Sequence, residues 1–243
     1  MPPLLLVDRT LARAEENLAL DEALLMESSR AARRDEEVGF LRFWESPSLF
    51  VVLGVSSRVE DDVDVERARE DGVPILRRVS GGGTVLQGPG CLNFSLVLPL
   101  AQHPELRDLR TSYAAIVEHC GAALGLEDVS MRGSCDLAIG NLKFGGNAQK
   151  RTRGAMLHQG TILHDFDLEL IPRYLREPPK QPDYREQRTH LSFVANLPLS
   201  REEVRQRITT AWQPEPVGDA WTIPPLTALI DERYSRREWN ERF

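Results

Sequence analysis

Residues 74–98 read PILRRVSGGGTVLQGPGCLNFSLVL. An apolar run ends in Arg77 and Arg78, Ser80 and three glycines follow, and a second extended run from Cys91 to Leu98 closes the stretch. The outer runs have strand composition and the glycines mark a turn. Two readings stand side by side. One is a structural glycine-rich hairpin. The other is a main chain built to approach an anionic ligand, because glycines admit close contact and present N–H groups. A neighbouring arginine can then grip a phosphate, and a loop of this kind can order over a substrate. The stretch is neither GxGxxG nor a GxxxxGK[ST] phosphate loop.

Outward from that stretch, the 243-residue chain alternates strand pairs with long helices. Residues 3–8 read as a strand and 10–33 as a helix, with Leu20, Ala23 and Leu24 on one face. FLRFW and LFVVLG read as two strands joined by a Ser-Pro-Ser turn. A helix at 104–124 carries Tyr113, Ile116, Val117, Cys120 and Leu124 on one face and stops at Gly125. Extended segments CDLAIG and LKFGGNAQKR flank Gly140-Asn141, and GAMLHQGTILH follows. Residues 167–175 read as helical, REPPKQPDYREQRTH as a polar loop, and helices near 200–212 and 225–236 end the pattern. This order predicts an α+β fold with a mixed, mostly antiparallel sheet and no simple βαβ alternation.

Composition excludes several classes. Hydrophobic content of 41% and charged content of 28% are ordinary for a globular protein. No apolar run has membrane-helix length, and MPPLLLVDRT lacks a basic signal-peptide start. The net charge of −7 argues against broad nucleic-acid binding. Cys91, Cys120 and Cys135 form neither a disulfide framework nor a CxxC metal pair, so cytoplasmic residence is the expectation. Only Lys143, Lys150 and Lys180 are lysines, and the other 27 basic residues are arginines. A lysine kept in such a chain points to a role that a compact ammonium fills and a planar guanidinium does not.

Lys143 follows a turn, between Leu142 and Phe144, with Gly145, Gly146 and Ala148 leaving room beside it. It is either a surface lysine or a cation placed to neutralise charge growing on a phosphoryl group. Asp136, seven residues earlier, is a metal ligand, an orienting partner for the lysine, or a strand-edge carboxylate. Cys135 is read as a small packed residue ahead of a nucleophile. His158 on its strand is read as a packing histidine, and no Gly-x-Ser-x-Gly elbow exists.

Together these segments resemble the biotin/lipoate protein ligase superfamily, in particular the lipoate–protein ligase A group. The resemblance rests on RRVSGGGTV at 77–85, on Asp136 with the Lys143–Ala148 strand, and on Gly154–Leu163 with His158, Gly160 and Thr161. ENLALDEALL and RYSRREWNERF are also similar to family segments. It implies a central sheet flanked by helices, like the core of class II aminoacyl-tRNA synthetases. It also implies ATP, Mg²⁺ and lipoate as ligands, with lipoyl-adenylate formed and then passed to a lysine of a lipoyl-domain or other carrier protein.

In that scheme Lys143 bridges the carboxylate and α-phosphate, and Arg78 grips the nucleotide phosphates. Ser80, Gly81, Gly82, Gly83 and Thr84 fold over the adenylate, joined by Val85, Leu86, Asn147 and Ala148. Asp136 contacts the Mg²⁺ side, while Trp44, Leu86 and His158 line the lipoate pocket.

The chain departs from many relatives with Gln87-Gly88 in place of His-Asp and His158-Gln159 in place of His-His. The expectation is one catalytic domain over 1–243, without the C-terminal accessory domain of larger ligases. A separate accessory-domain protein is the companion expectation. Neither nucleic acid nor membrane is expected as a partner. Octanoyl or lipoyl transferases using a cysteine thioester share the fold. Their cysteine lies after the lysine strand or about fifteen residues before the lysine in the two branches considered, and Cys135 fits neither spacing. A biotin ligase, whose glycine loop differs, and a non-catalytic lipoate or carrier binder are the remaining alternatives.

Overall fold

The computed structural model describes residues 4–243; Pro3, assigned above to the first strand, lies outside them. In chain order the strands are β1 (Leu4–Asp8), β2 (Gly39–Trp44), β3 (Phe50–Leu53), β4 (Ile75–Arg77), β5 (Val85–Gln87), β6 (Cys91–Pro99), β7 (Val129–Arg132), β8 (Asp136–Ile139), β9 (Leu142–Arg151), β10 (Ala155–Leu163) and β11 (Glu215–Pro216). The helices are α1 (Ala14–Ala32), α2 (Val59–Asp62), α3 (Val65–Glu70), α4 (Leu109–Ala123), α5 (Leu170–Tyr174), α6 (His190–Phe193), α7 (Arg201–Trp212), α8 (Thr227–Leu229) and α9 (Arg237–Asn240).

Eight strands form one sheet in the order β11-β1-β2-β6-β10-β9-β8-β7. β1 runs parallel to β2 and β11, and every other pair in this sheet is antiparallel. The mixed, mostly antiparallel sheet of the sequence reading is therefore the observed one. β6 lies at its centre with all nine residues buried, as expected of a strand covered on both faces. Alternation sorts its side chains. Leu92, Phe94, Leu96 and Leu98 meet Ile116, Val117 and Cys120 of α4 and Val204 and Ile208 of α7. Val97 joins Leu18, Leu20, Leu24 and Leu25 of α1 on the opposite face.

The helix ends follow local chemistry. The Asp108 carboxylate accepts from Thr111 N at 2.8 Å and starts α4, and Gly125, at φ +60°, lies just past its end. Ser200 and Glu203 close a capping box on α7.

β2 and β3 follow one another across the Ser-Pro-Ser turn, as the sequence reading has them, but they do not pair. β3 leaves the large sheet and pairs with β4 and β5 in a separate three-stranded sheet. Its Phe50 and Val52 pack toward α1, and Val51 and Leu53 pack toward a third cluster with Phe166, Ile171 and Tyr174. A strand apolar on both faces signals a sheet sandwiched between two cores, but periodicity does not say which sheet it joins. Among the described residues no helix is long and apolar enough to cross a membrane.

Arg42 of β2 and Asp21 of α1 form a buried ion pair at 2.6 Å, with side chains 0% and 1% exposed. Arg42 also donates to Asn17 Oδ1 at 2.6 Å and to the carbonyls of Asn17 and Arg9. Removing one partner leaves an uncompensated charge in the core, so Asp21→Ala is expected to cost about 3–5 kcal/mol in urea unfolding.

Candidate active site

β9 carries the site. Its first half pairs with β8, Gly145 and Gly146 pair with both β8 and β10, and Asn147–Arg151 lie beyond the end of β8. Asp136, Gly146 and Thr161 stand in one row across β8, β9 and β10, facing away from α4. Gly146 leaves its place in that row empty, and the Lys143 side chain lies there. A Cβ at 146 would stand 3.3 Å from Lys143 Nζ and 3.4 Å from Cε. The Lys143 side chain is 26% exposed, and its ammonium meets Asp136 Oδ1 at 2.8 Å. The other carboxylate oxygen accepts from Tyr184 Oη at 2.8 Å.

The glycine stretch lies across the free part of β9. Gly81 N donates to Gln149 O at 3.4 Å, and Ser80 Oγ donates to Gln159 Oε1 at 2.5 Å. A Cβ on Gly82, at φ +84°, would lie 3.7 Å from Ala148 Cβ and 2.9 Å from Arg78 Nη2. On the outer side, Gly54 lets the loop approach closely: a Cβ there would fall 2.0 Å from Gly82 O.

Arg78 is 8% exposed. Its Nε donates to Ser80 Oγ at 3.0 Å, and its Nη2 donates to Gly81 O and, at 2.9 Å, to Gly83 O. Burial pushes its pKa down to about 10, so it remains a cation at neutral pH. Arg77 has a different role. It is fully buried and donates to Trp239 O, Asn240 O, Gly54 O and Ser57 O, locking the chain end onto β4.

A hydrogen-bonded lattice supports this floor. Gln159 Nε2 donates to Asp21 Oδ2 at 2.7 Å, linking the Arg42–Asp21 pair to Ser80 and the loop. Gln87, Asn93 and Thr161 close a ring at 2.6–3.0 Å that ties β5 to the large sheet. Gln87 and Gln159, two of the departures noted in the sequence, are thus structural supports of the site.

Several sequence expectations need correction. Trp44 and His158 do not share a pocket. Trp44 aligns with Asn93 and, through it, Thr161, but His158 is three residues from Thr161 and leaves the opposite face. Trp44 is packed on Phe50 with ring centroids 6.4 Å apart. Leu86 points into the third cluster, while Val85 packs on the Trp44 side. The Asn147 side chain also faces away from the loop, donating to Cys135 O at 2.7 Å. Thr84 Oγ1 turns to Asp62 Oδ2 at 2.5 Å. Asp136 is placed as the partner of the lysine, with Lys143 on one of its oxygens and Tyr184 on the other. Among the described residues no three His, Cys, Asp or Glu side chains gather to hold a metal. The sequence reading missed Tyr184, which comes from the segment read as a polar loop and lies 48 residues from Asp136.

His158 is fully buried between Asn147 Oδ1, 2.9 Å from Nε2, and Gln149 Nε2, 3.1 Å from Nδ1. Burial, aided by the charge of Arg151, pulls its pKa down to about 3. The folded value lies below the unfolded one, so the neutral ring's contribution is complete above about pH 6.5 and is lost as the pH falls toward 3. Urea unfolding from pH 7 to 4 is expected to show His158→Gln losing less stability in acid than wild type, by up to about 1.4 kcal/mol per pH unit. Cys135 Sγ donates to Asn147 O at 3.2 Å, and burial, then the nearby Asp136 charge, push the thiol pKa up, so it stays protonated.

A model of the lipoyl protein ligase A/B catalytic domain matches residues 13–213, which contain the glycine loop, Asp136 and Lys143. The chain belongs to this family. A relative from Aeropyrum pernix with the name "Putative lipoate-protein ligase A" is 32% identical over 81% of this chain and 70% of its own length. The octanoyltransferase LipM of Symbiobacterium thermophilum is 28% identical over 93% of this chain and 94% of its own. The chain spans less than half the length of several other curated relatives. The bi-partite lipoate protein ligase of Thermoplasma acidophilum, solved in a study of its lipoylation system with an E2 lipoyl domain, superposes with a TM-score of 0.79. That match is 24% identical and covers 99% of this chain and 96% of the other. It confirms the lipoate ligase core as the fold.

Proposed function

We propose that the protein is an ATP-dependent lipoate–protein ligase in which residues 1–243 work as one catalytic domain. The observation that carries this reading is the Lys143 ammonium, held at 2.8 Å by Asp136 on the same sheet face that the glycine loop covers. In the first step a lipoate carboxylate oxygen attacks the α-phosphorus of ATP, the bond to the β,γ-unit breaks and pyrophosphate leaves. Charge accumulates between carboxylate and phosphate, and Lys143 moves from Asp136 to those oxygens. In the second step the neutral amine of a carrier lysine attacks the acyl carbon, the C–O bond to phosphate breaks, AMP leaves, and the amine's surplus proton passes to water. Arg78 binds phosphate oxygens in place of Gly81 O and Gly83 O, so nucleotide binding frees the loop to close and exclude water.

Support for the ligands comes from relatives: a lipoate-protein ligase A solved with ATP is 25% identical with a TM-score of 0.75, and a Thermoplasma acidophilum chain was solved with lipoic acid. The bi-partite Thermoplasma ligase supports a lipoyl-domain acceptor and a separate accessory protein as partners. Mg²⁺ is assigned no residue in this scheme.

The likeness to LipM keeps a transferase as the alternative. A thioester needs an activated thiol, whereas the Cys135 thiol is pushed up and engaged by Asn147 O. The test is lipoate-dependent ATP–pyrophosphate exchange on the purified chain, with transfer from synthetic lipoyl-adenylate to a carrier domain measured alongside. Exchange or adenylate transfer supports the ligase. Octanoyl transfer from a carrier thioester without ATP, lost on Cys135→Ala, supports the transferase.

A further inference from the structure

Lys143 is gripped twice by one segment that the activation scheme leaves unused. Ala195 N donates to Lys143 O at 2.9 Å, and Tyr184 Oη donates to the Asp136 carboxylate that holds Lys143 Nζ. Between these points the segment is fixed by its own contacts. Arg188 Nη2 donates to Tyr184 O at 2.7 Å and to Asn141 O at 3.0 Å, at the turn before Lys143. Phe193 packs against the Tyr184 ring at 5.1 Å and under the guanidinium groups of Arg185 and Arg188, at 4.8 and 5.2 Å. Glu186 and Gln187 both adopt left-handed backbone, at φ 52° and 60°. Two successive residues other than glycine in that region persist only where the surroundings over-determine the turn. On the far side, a Cβ at Gly133 would stand 3.5 Å from Tyr184 Cε1.

The hydrogen bond has a consequence for the chemistry. Asp136 is largely buried, with its side chain 13% exposed. A carboxylate in that position needs donors, and losing its only one is costly. Lys143 must give up Asp136 to reach a reacting carboxylate and phosphate. We infer that Tyr184 is a positioning residue for acyl activation: its phenol keeps Asp136 solvated by protein while Lys143 transfers to the substrate's oxygens. The inference rests on the activation role of Lys143 given above. Desolvation, then the Asp136 charge, push the Tyr184 pKa well up, so the phenol remains a donor throughout the working range.

Without the phenol, Asp136 has Lys143 as its only side-chain partner among the described residues, and the lysine leaves less readily. Tyr184→Phe keeps the ring and its packing on Phe193. It is expected to lower kcat for lipoate-dependent exchange about tenfold with KM for lipoate and ATP within about twofold. A second readout needs no turnover: acetylation of the Lys143 amine by acetic anhydride, followed by peptide mass spectrometry.

Tyr184→Phe is expected to slow Lys143 labelling about threefold, and Asp136→Asn to speed it. The double variant is expected to match Asp136→Asn alone, because Tyr184 acts through the carboxylate. Wild-type kcat and labelling in Tyr184→Phe would overturn the inference. So would an equal loss from Tyr184→Phe in the Asp136→Asn background, which would mark a packing role only. If wild type shows neither exchange nor adenylate transfer, the ligase reading fails, and the labelling cycle still decides whether Tyr184 governs the Lys143–Asp136 contact.

Discussion

Lys143→Ala is expected to lower lipoate-dependent ATP–pyrophosphate exchange by about 10²–10³-fold, while Cys135→Ala stays within about twofold of wild type. The asymmetry follows from geometry. Lys143 has its ammonium in a row cleared by Gly146, with a carboxylate partner fixed from behind. Its charge meets negative charge that grows only as the carboxylate approaches the α-phosphorus, so its loss falls on kcat more than on KM. Cys135 is protonated and donates to a main-chain carbonyl, which alanine leaves on the free edge of β9. Lys143→Arg is expected to restore little, because a planar fork does not reproduce the compact ammonium that meets Asp136 at 2.8 Å.

Gly54→Ala is the second large effect. The new methyl would fall 2.0 Å from Gly82 O and 3.0 Å from Gly82 C, both main-chain atoms of the glycine loop. Real Cβ contacts do not come that close, so the loop must shift away from Gly54, toward β9. The displacement disturbs the Ser80 contact with Gln159 that seats the loop and shifts Gly82 against Arg78 and Ala148. A misplacement of about 1 Å near reacting groups can cost about 10²-fold in rate. The expected result is therefore a fall in kcat/KM of about 10- to 100-fold with a melting temperature within a few degrees of wild type. Gly218→Ala, outside the loop, is the control, since a Cβ there meets nothing within 4 Å.

The parts of the fold with strong local signals were legible in the sequence. β6, with nine consecutive buried residues, and α4, with its stop at Gly125, appear where the pattern places them, except that α4 starts at Leu109 behind a 3-10 turn at Pro104–Arg107 and not at residue 104. The turn Gly140-Asn141 does join two antiparallel strands. The site was legible where one short stretch holds it, as in the glycine loop and the Lys143 strand. Pairings set at long range were not legible. β3 joins a second sheet because both of its faces are apolar, and such a strand suits either sheet.

The face each residue takes was equally hidden. The register of β10 against β6 puts His158 with α4 and sends Gln159 and Thr161 to the loop side, and a shift of one residue would reverse both. One signal was available and unused: Asp21 in the apolar helix ENLALDEALL and Arg42 in the apolar strand FLRFW, two charges that only a mutual partner makes tolerable in a core. Tyr184 had no such signal, because a tyrosine in a proline-rich polar stretch is unremarkable until the chain returns to β8.

A crystal structure of the chain with a non-hydrolysable lipoyl-adenylate analogue tests the central claim most directly. The expected complex has Lys143 Nζ within about 3 Å of oxygens on both the acyl and phosphoryl groups. It also has Asp136 still bound by Tyr184 and the glycine loop closed over the phosphate. An adenylate bound elsewhere, with Lys143 still on Asp136 and its ammonium beyond hydrogen-bond reach of the ligand, would contradict the account.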